Sequence, residues 1–543
     1  MIKRAGGVVA GLVLACTSLG QGAPGKPDAG KPASGLTFEV SLSPEVRDAI
    51  PKTGAAGRVL VYLIADGAPL PPQTEPSDAP FYEAPQPMYG VDVRALKADA
   101  TVTVGDTATA FPCPLSKLPA GSYRAQAVLD MHHDNSDWHR EPGNLFSHTV
   151  SFTLEPSAPS PGPVQLRLDQ KIAEPKIPTV KGVELFEMRS ELLSKFHGRE
   201  IKLRAGVVLP LDRDAERPLP AVYEAPGFGG DAGEAFQIGR ARLANRITSD
   251  PSRVKLSEES VYIVLDPESG NGHTLFADSA NNGPCARALV EELIPALEKK
   301  YNLIPKPEAR IITGHSSGGW SSLWLALTHP ETFGACWSSS PDPVDFRRFQ
   351  KTDIYSESNI YRRPVDGKDD GKLVDVPSFR DREGITRMTV LVENEVEEVL
   401  GPGNTSGQQW DSWMAVFGPR GKDGNPAALY DPTTGAIDHA IAEQFKAYDI
   451  GELVRKDPAK YLPILRDHVR LVCGTEDSFF LNEAVALLKA DVQKLTAPDA
   501  PKAGGYIELL PGDHGSVMFT PRARAKWREM LEYFKSTGML PQG

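Results

Sequence analysis

The chain has 543 residues, 40% of them hydrophobic and 24% charged, enough length for two or three domains and an ordinary balance for a soluble protein. A net charge of −12 argues against nucleic acid or an anionic membrane surface as partner. No internal apolar run reaches the length of a membrane-spanning helix.

At the N-terminus, Lys3 and Arg4 precede an apolar run over residues 5–15, followed by a Pro/Gly/Lys-rich stretch to about residue 34. That layout predicts an export signal and tether over 1–34, hence a periplasmic, extracellular or envelope location. The segment 12–16 resembles a bacterial lipobox, in which Cys16 would be acylated; the alternative is cleavage near Ala23 with Cys16 discarded. A lipid on Cys16 is the one membrane attachment expected. The remaining cysteines, Cys113, Cys285, Cys336 and Cys473, fit no metal spacing, and buried thiols are expected rather than disulfides.

Residues 35–155 read as an all-β domain. Residues 37–42 alternate, 58–63 form a β-rich apolar run, and 122–129 and 148–154 repeat the style between turn residues, which suggests an immunoglobulin-sized sandwich. His132, His133, His139 and His148 lie there with Asp134 and Asp137, in neither a zinc nor an EF-hand spacing, so no metal is expected. Residues 156–182 open on a Pro-rich stretch and read as a linker.

From residue 183 to 543 the pattern becomes α/β. Residues 191–196 and 199–209 look like a hairpin turning at His197-Gly198. Residues 221–225 are a strand running into Pro226-Gly227-Phe228-Gly229-Gly230, and 261–265 another. Residues 284–301 carry apolar positions four apart and predict a helix kinked at Pro295. Further strands are expected at 333–337, 469–473 and 506–510. Alternating elements imply a mostly parallel sheet covered on both faces, with its site beyond the carboxyl ends of the strands. Residues 342–466 read as a cap-like insertion, with an apparent strand at 387–392; Trp410 and Trp413 there suit a core or a substrate groove equally.

The richest stretch is Ile311-Ile312-Thr313-Gly314-His315-Ser316-Ser317-Gly318, followed by Trp320, Leu323, Trp324 and Leu327 at helical spacing. Strand, sharp turn and helix give G-x-S-x-G a mechanical meaning: Ser316 stands clear as a nucleophile, and the Ser317 N–H faces the developing negative charge. A serine needs a base oriented by a carboxylate. Of His329, His439, His468 and His514, only His514 follows a strand in the right place. Asp477 is the preferred acid, with Glu476 the fallback; Asp513, adjacent to the base, is a poor candidate. Phe228, in its glycine-rich loop, is the candidate second oxyanion donor. The chemistry needs neither metal nor cofactor.

These motifs, together with 276–284 running into 292–295, Cys473-Gly474-Thr475-Glu476-Asp477 and Gly512-Asp513-His514, resemble the esterase D-type putative esterase family of α/β-hydrolases over about residues 189–534. That family includes feruloyl and acetyl xylan esterases. The resemblance implies Ser316 as nucleophile, Asp477 as acid and His514 as base; the insertion is longer than in compact members, so the substrate class does not carry over, and an ester that is small or carried on a polysaccharide is the expectation. Pro226-Gly227 stands where many relatives have His-Gly. A serine acyltransferase or peptidase would use the same triad, and a non-catalytic envelope or carbohydrate-binding protein is the rival of another class.

Overall fold

The computed structural model describes residues 35–79, 82, 84–131, 134–155, 162–244, 250–365, 371–497 and 504–542. The expected export segment at 1–34, with Cys16, and His132 and His133 lie outside them. The chain divides into two compact units. One comprises Met1–His133, Asp137–Pro175 and Val392–Pro402; the other comprises Asp134–Ser136, Lys176–Leu391 and Gly403–Gly543. Among the described residues no helix is long and apolar enough to cross a membrane.

The first unit is all-β apart from short turns and one helix. Among its described residues are β1 (Phe38–Leu42), β2 (Ala55–Ala65), β3 (Met88–Leu96), β4 (Thr101–Val104), β5 (Thr109–Phe111), β6 (Gly121–Asp130), β7 (Leu145–Ser147), β8 (Val150–Leu154) and β9 (Val164–Lys171). They join in the order β4-β1-β9-β7-β6-β2-β3-β5, with β8 also paired to β6. The expected linker 156–182 is therefore corrected. β9 runs parallel to β1, with Phe38 opposite Val164, and antiparallel to β7, so the unit extends past residue 155. Its alternating pattern Val164, Leu166, Leu168 is a strand signal that the preceding prolines masked.

From Val59 to Ala65 β2 is continuously apolar, and there both of its faces are buried. Val59, Val61 and Leu63 enter the main core of this unit, while Leu60 and Tyr62 join a second cluster with Val396 and Val399. Those two valines come from the helix Val390–Leu400. The strand expected at 387–392 is thus only Thr386–Thr389, and a helix follows at once. The Arg58 Nε donates to the Val399 carbonyl at 2.7 Å, satisfying a backbone acceptor in the helix's last turn, where a cation is also favoured by the helix dipole.

The second unit is built on an eight-stranded sheet: β10 (Val183–Arg189), β11 (Lys202–Val208), β12 (Ala221–Ala225), β13 (Val261–Leu265), β14 (Arg310–His315), β15 (Ala335–Ser339), β16 (Val469–Gly474) and β17 (Tyr506–Leu510), in the order β10-β11-β13-β12-β14-β15-β16-β17. The β10–β11 and β11–β13 pairings are antiparallel and the others parallel. Neighbouring residues on one strand point to different cores. Tyr223 and Ile312 pack with Trp320 and Leu323, whereas Val222 and Ile311 pack with Met530 and Phe534. The sheet is covered on both faces, as its near-continuous apolar strands require.

Two local readings change. The hairpin expected over 191–209 is instead β10 against β11, and Glu191–His197 between them is a helix. Ser190 caps it by accepting from the Leu193 N–H, and Gly198 ends it at φ 67°, the usual start and stop signals. The helix over 284–301 does not simply kink. It widens to a π-turn over Ala288–Leu293 and resumes as Ile294–Tyr301, so the change of register falls just before Pro295, which has no N–H to donate to the preceding turn.

The insertion between β15 and β16 is not a detachable cap. Trp410, Trp413, Phe417 and Phe445 share one core with Trp320, Phe346 and Phe349. Trp410 and Trp413 are each 1% exposed, so they are core residues rather than groove lining. Trp410→Ala is expected to destabilise this unit by about 3–5 kcal/mol, measured by chemical denaturation followed by far-UV circular dichroism; a loss under about 1 kcal/mol would contradict that packing.

Candidate active site

The junction of β14 with the helix Ser317–Thr328 positions Ser316. Its backbone sits at φ 60°, ψ −126°, a conformation that costs a non-glycine residue about 1–3 kcal/mol and persists only where its surroundings hold it. They do. The Ser316 N–H donates to Ser339 O at 3.0 Å, and the Ser316 carbonyl accepts from the N–H groups of Trp320 at 3.0 Å and Asp342 at 3.3 Å. A Cβ on Gly314 would come closer than 3.0 Å to Gly318 O, and one on Gly318 closer than 3.0 Å to Ala225 O, so both flanking glycines are steric necessities. The Ser316 side is partly exposed while Ser317 is wholly buried.

Beyond the last two strands lie the candidate acid and base. Asp477 follows β16 and His514 follows β17, and the His514 Nδ1–H donates to Asp477 Oδ2 at 2.8 Å. The other oxygen of Asp477 accepts from the N–H groups of Phe479 at 3.0 Å and Leu481 at 3.4 Å. One carboxylate therefore holds both its own turn and the imidazole. Glu476 turns away, to Arg380 at 3.3 Å. Asp513 folds back on its own turn, accepting from Ser516 N at 2.6 Å and Gly515 N at 3.0 Å, and pairs with Arg382 at 3.1 Å. His329, His439 and His468 bond elsewhere, to Glu331, Ile354 O and Gly334 O.

Burial would lower the His514 imidazole, but the charge and hydrogen bond of Asp477 outweigh it and hold the group above its ordinary 6.5, with Asp342 and Asp513 adding in the same direction. Asp477 is wholly buried, which by itself would raise it; the His514 charge and hydrogen bond keep it below 3.8 instead. The ring of His315 lies 4.5 Å from that of His514. Burial, reinforced by the His514 charge, pushes His315 down to about 3, so it stays neutral beside His514.

The glycine-rich loop after β12 comes close to the serine: a Cβ on Gly227 would lie 3.5 Å from Ser316 Cβ. Among the described residues neither the Phe228 nor the Ser317 N–H donates within the chain. Two amides are thus left available near one hydroxyl.

Two residues that sequence reasoning did not single out support this arrangement. Wholly buried His273 accepts from Leu275 N–H at Nδ1 (3.0 Å) and so carries its proton on Nε2, which donates to Pro226 O at 3.0 Å and fixes the oxyanion-side loop. Burial lowers it to about 4, keeping that tautomer. Asp342 lies just past the carboxyl end of β15, and its Oδ2 accepts from Ser317 Oγ at 2.7 Å and Trp413 Nε1 at 2.8 Å. Burial raises it to about 6 against the pull of those two bonds. The one sequence signal for Asp342 is its place beyond a strand end; for His273 there is none.

Among the described residues no cluster of His, Cys, Asp and Glu suits a metal ion. In the first unit, His139 is engaged by Asp137 at 2.8 Å and Asp78 at 3.0 Å. Cys285 and Cys336 are buried thiols that burial pushes up to about 12.

A serine on a strained strand-to-helix turn, in a mixed sheet with helices on both faces, defines an α/β-hydrolase. The family model described as "Esterase: Putative esterase" matches residues 194–522, and the chain belongs to that family: it is a carboxylic ester hydrolase. The family resemblance read from the motifs is borne out. Solved structures similar to it include a ferulic acid esterase (13% identity, 67% of this chain and 100% of that one, TM-score 0.36). Another is the S-formylglutathione hydrolase of Agrobacterium tumefaciens (15%, 66% and 97%, TM-score 0.33). A third is a ferulic acid esterase of Anaeromyces mucronatus (13%, 66% and 93%, TM-score 0.30). No curated protein matches the chain.

In NMR titrations the His514 imidazole is expected to titrate above 6.5, and to move down in Asp477→Asn, where burial meets less opposition. An unchanged titration in that variant would refute the coupling.

Proposed function

We propose that the protein is an exported serine esterase that works through an acyl-enzyme. His514 Nε2 takes the Ser316 Oγ proton as Oγ attacks the ester carbonyl. The N–H groups of Ser317 and Phe228 receive the oxyanion, and the alkoxide leaves with the proton from His514. Water, deprotonated by the same imidazole, then releases the acid. Asp477 keeps the Nδ1–H tautomer and stabilises the imidazolium.

The observation that carries this reading is the 2.8 Å bond from His514 Nδ1 to buried Asp477. With Nδ1–H committed to the carboxylate, the lone pair of the neutral ring is left on Nε2. Export rests on the basic and apolar pattern of residues 3–15, with Cys16 as the proposed lipid attachment if the lipobox is used. A sandwich packing of the first unit is supported by its strand pattern and shared core. The proposed substrates are small-molecule esters or esterified polysaccharides; a screen of acetylated and feruloylated polysaccharides against short-chain synthetic esters, peptides and acyl acceptors separates these from each other and from peptidase or acyltransferase use.

Ser316→Ala is expected to lower kcat on a simple aryl ester by about 10⁴-fold or more and to abolish labelling by a fluorophosphonate. Near-wild-type turnover in the purified variant would refute the nucleophile. Only neutral imidazole accepts the proton, and His514 is raised, so kcat/KM is expected to rise with pH through an inflection above 6.5 and to stay low below it. A profile flat from pH 5 to pH 8 would contradict His514 as base.

A further inference from the structure

We infer that Asp342 is a positioning residue of this site, holding the Ser316–Ser317 peptide so that the Ser317 N–H points at the oxyanion. The inference rests on the serine-nucleophile reading above.

The oxyanion donor is the N–H of the peptide whose carbonyl is Ser316 O. A trans peptide is planar, so fixing the direction of that carbonyl fixes the opposite direction of the N–H. Asp342 grips this unit at both ends. Its backbone N–H donates to Ser316 O at 3.3 Å, and its carboxylate accepts the Ser317 hydroxyl at 2.7 Å. Rotation of the peptide would break the first contact and strain the second.

The grip is itself held. Trp413 Nε1 donates to the same carboxylate oxygen at 2.8 Å, and Gln409 Nε2 approaches it at 3.4 Å. Both come from the helix Gln409–Phe417 of the insertion. Three donors on one oxygen call for an anionic acceptor, which binds each more strongly than a neutral amide oxygen would. Asp342 is 2% exposed and Ser317 0%, so water competes little for these bonds. The demand is local: Ser316 occupies a backbone conformation that its neighbours must enforce, and Ser317 carries a hydroxyl within reach of the one buried carboxylate beside it.

The test uses the full chain and an aryl acetate, with competent sites counted by fluorophosphonate titration. Asp342→Ala is expected to lower kcat per titrated site by about 10–100-fold, less than deleting an oxyanion donor outright, with KM changed by less than about twofold. Ser317→Ala keeps the N–H and removes the side-chain grip, and should lower kcat by about fivefold or more. The double variant should be no slower than Asp342→Ala by more than about twofold, because both act through one contact. A purely structural role would reduce the titratable fraction and leave kcat per site at the wild-type value, and that result overturns the inference, as do two independent, multiplying losses. Should Asp342→Ala fail to fold, Ser317→Ala and Asp342→Asn decide it on the same measure. A wild-type enzyme that cannot be labelled at Ser316 sinks the nucleophile assignment and this inference together; normal labelling with unchanged kcat in the variants sinks this one alone.

Discussion

A serine held at positive φ between a buried strand and a buried helix is the constraint on which the rest of the second unit depends. That conformation is disfavoured for an L-residue, so the fold must supply at least as much as it costs. Part comes from three backbone hydrogen bonds at Ser316, to elements as far along the chain as Ser339 and Asp342. Part comes from the helix that follows, whose residues Ser317 to Leu327 are all buried. The close approach of Gly318 to Ala225 O brings the loop after β12 to the same spot. Strain at one residue is thus spread over β12, β14, β15 and their connections.

The electrostatics follow from burial. Asp477 is removed from water, which by itself raises it; the imidazole on one oxygen and the backbone amides on the other outweigh that burial and hold it below its ordinary value. His514 is raised for the reciprocal reason. His315, a similar ring in contact with it, is driven the other way by burial, reinforced by the His514 charge and only partly offset by Asp477. Two adjacent buried histidines therefore differ because only His514 has a carboxylate hydrogen bond that outweighs its burial. In the proposed reaction only one of them can carry a proton, which removes ambiguity about the base.

The insertion contributes in three ways that do not require it to move as a lid. Its aromatic residues complete the core under the Ser317–Thr328 helix, with Trp320 and Phe417 ring centroids 5.2 Å apart. Its helix Gln409–Phe417 supplies the donors to Asp342. The hairpin of Pro377–Arg380 with Thr386–Thr389 carries Arg380, whose Nε donates to Asp477 O at 3.2 Å, and precedes Arg382, paired with Asp513. The loops bearing Asp477 and His514 are each tied down by an arginine from this hairpin. In the first unit, another piece of the same insertion, Val392–Pro402, covers the second face of β2.

Short-range patterns carry much of the candidate site. A turn with two glycines around Ser316 is written in five letters, because the steric demand is local. Asp477 and His514 are legible as candidates because a parallel sheet puts its chemistry just beyond strand ends, and each follows an apolar strand by a few residues. Tertiary structure decided what depends on partners far away in sequence. Sequence alone left Glu476 open as the acid, and only the fold shows it turned to Arg380 while Asp477 meets an imidazole 37 residues on. Val164–Lys171 is a strand because β1 and β7 wait on either side of it, which a proline-rich approach hides. Asp342, His273 and Trp413 carry no motif: a buried carboxylate, a buried imidazole and an indole acquire roles only through the one or two atoms that packing brings within 3 Å of them.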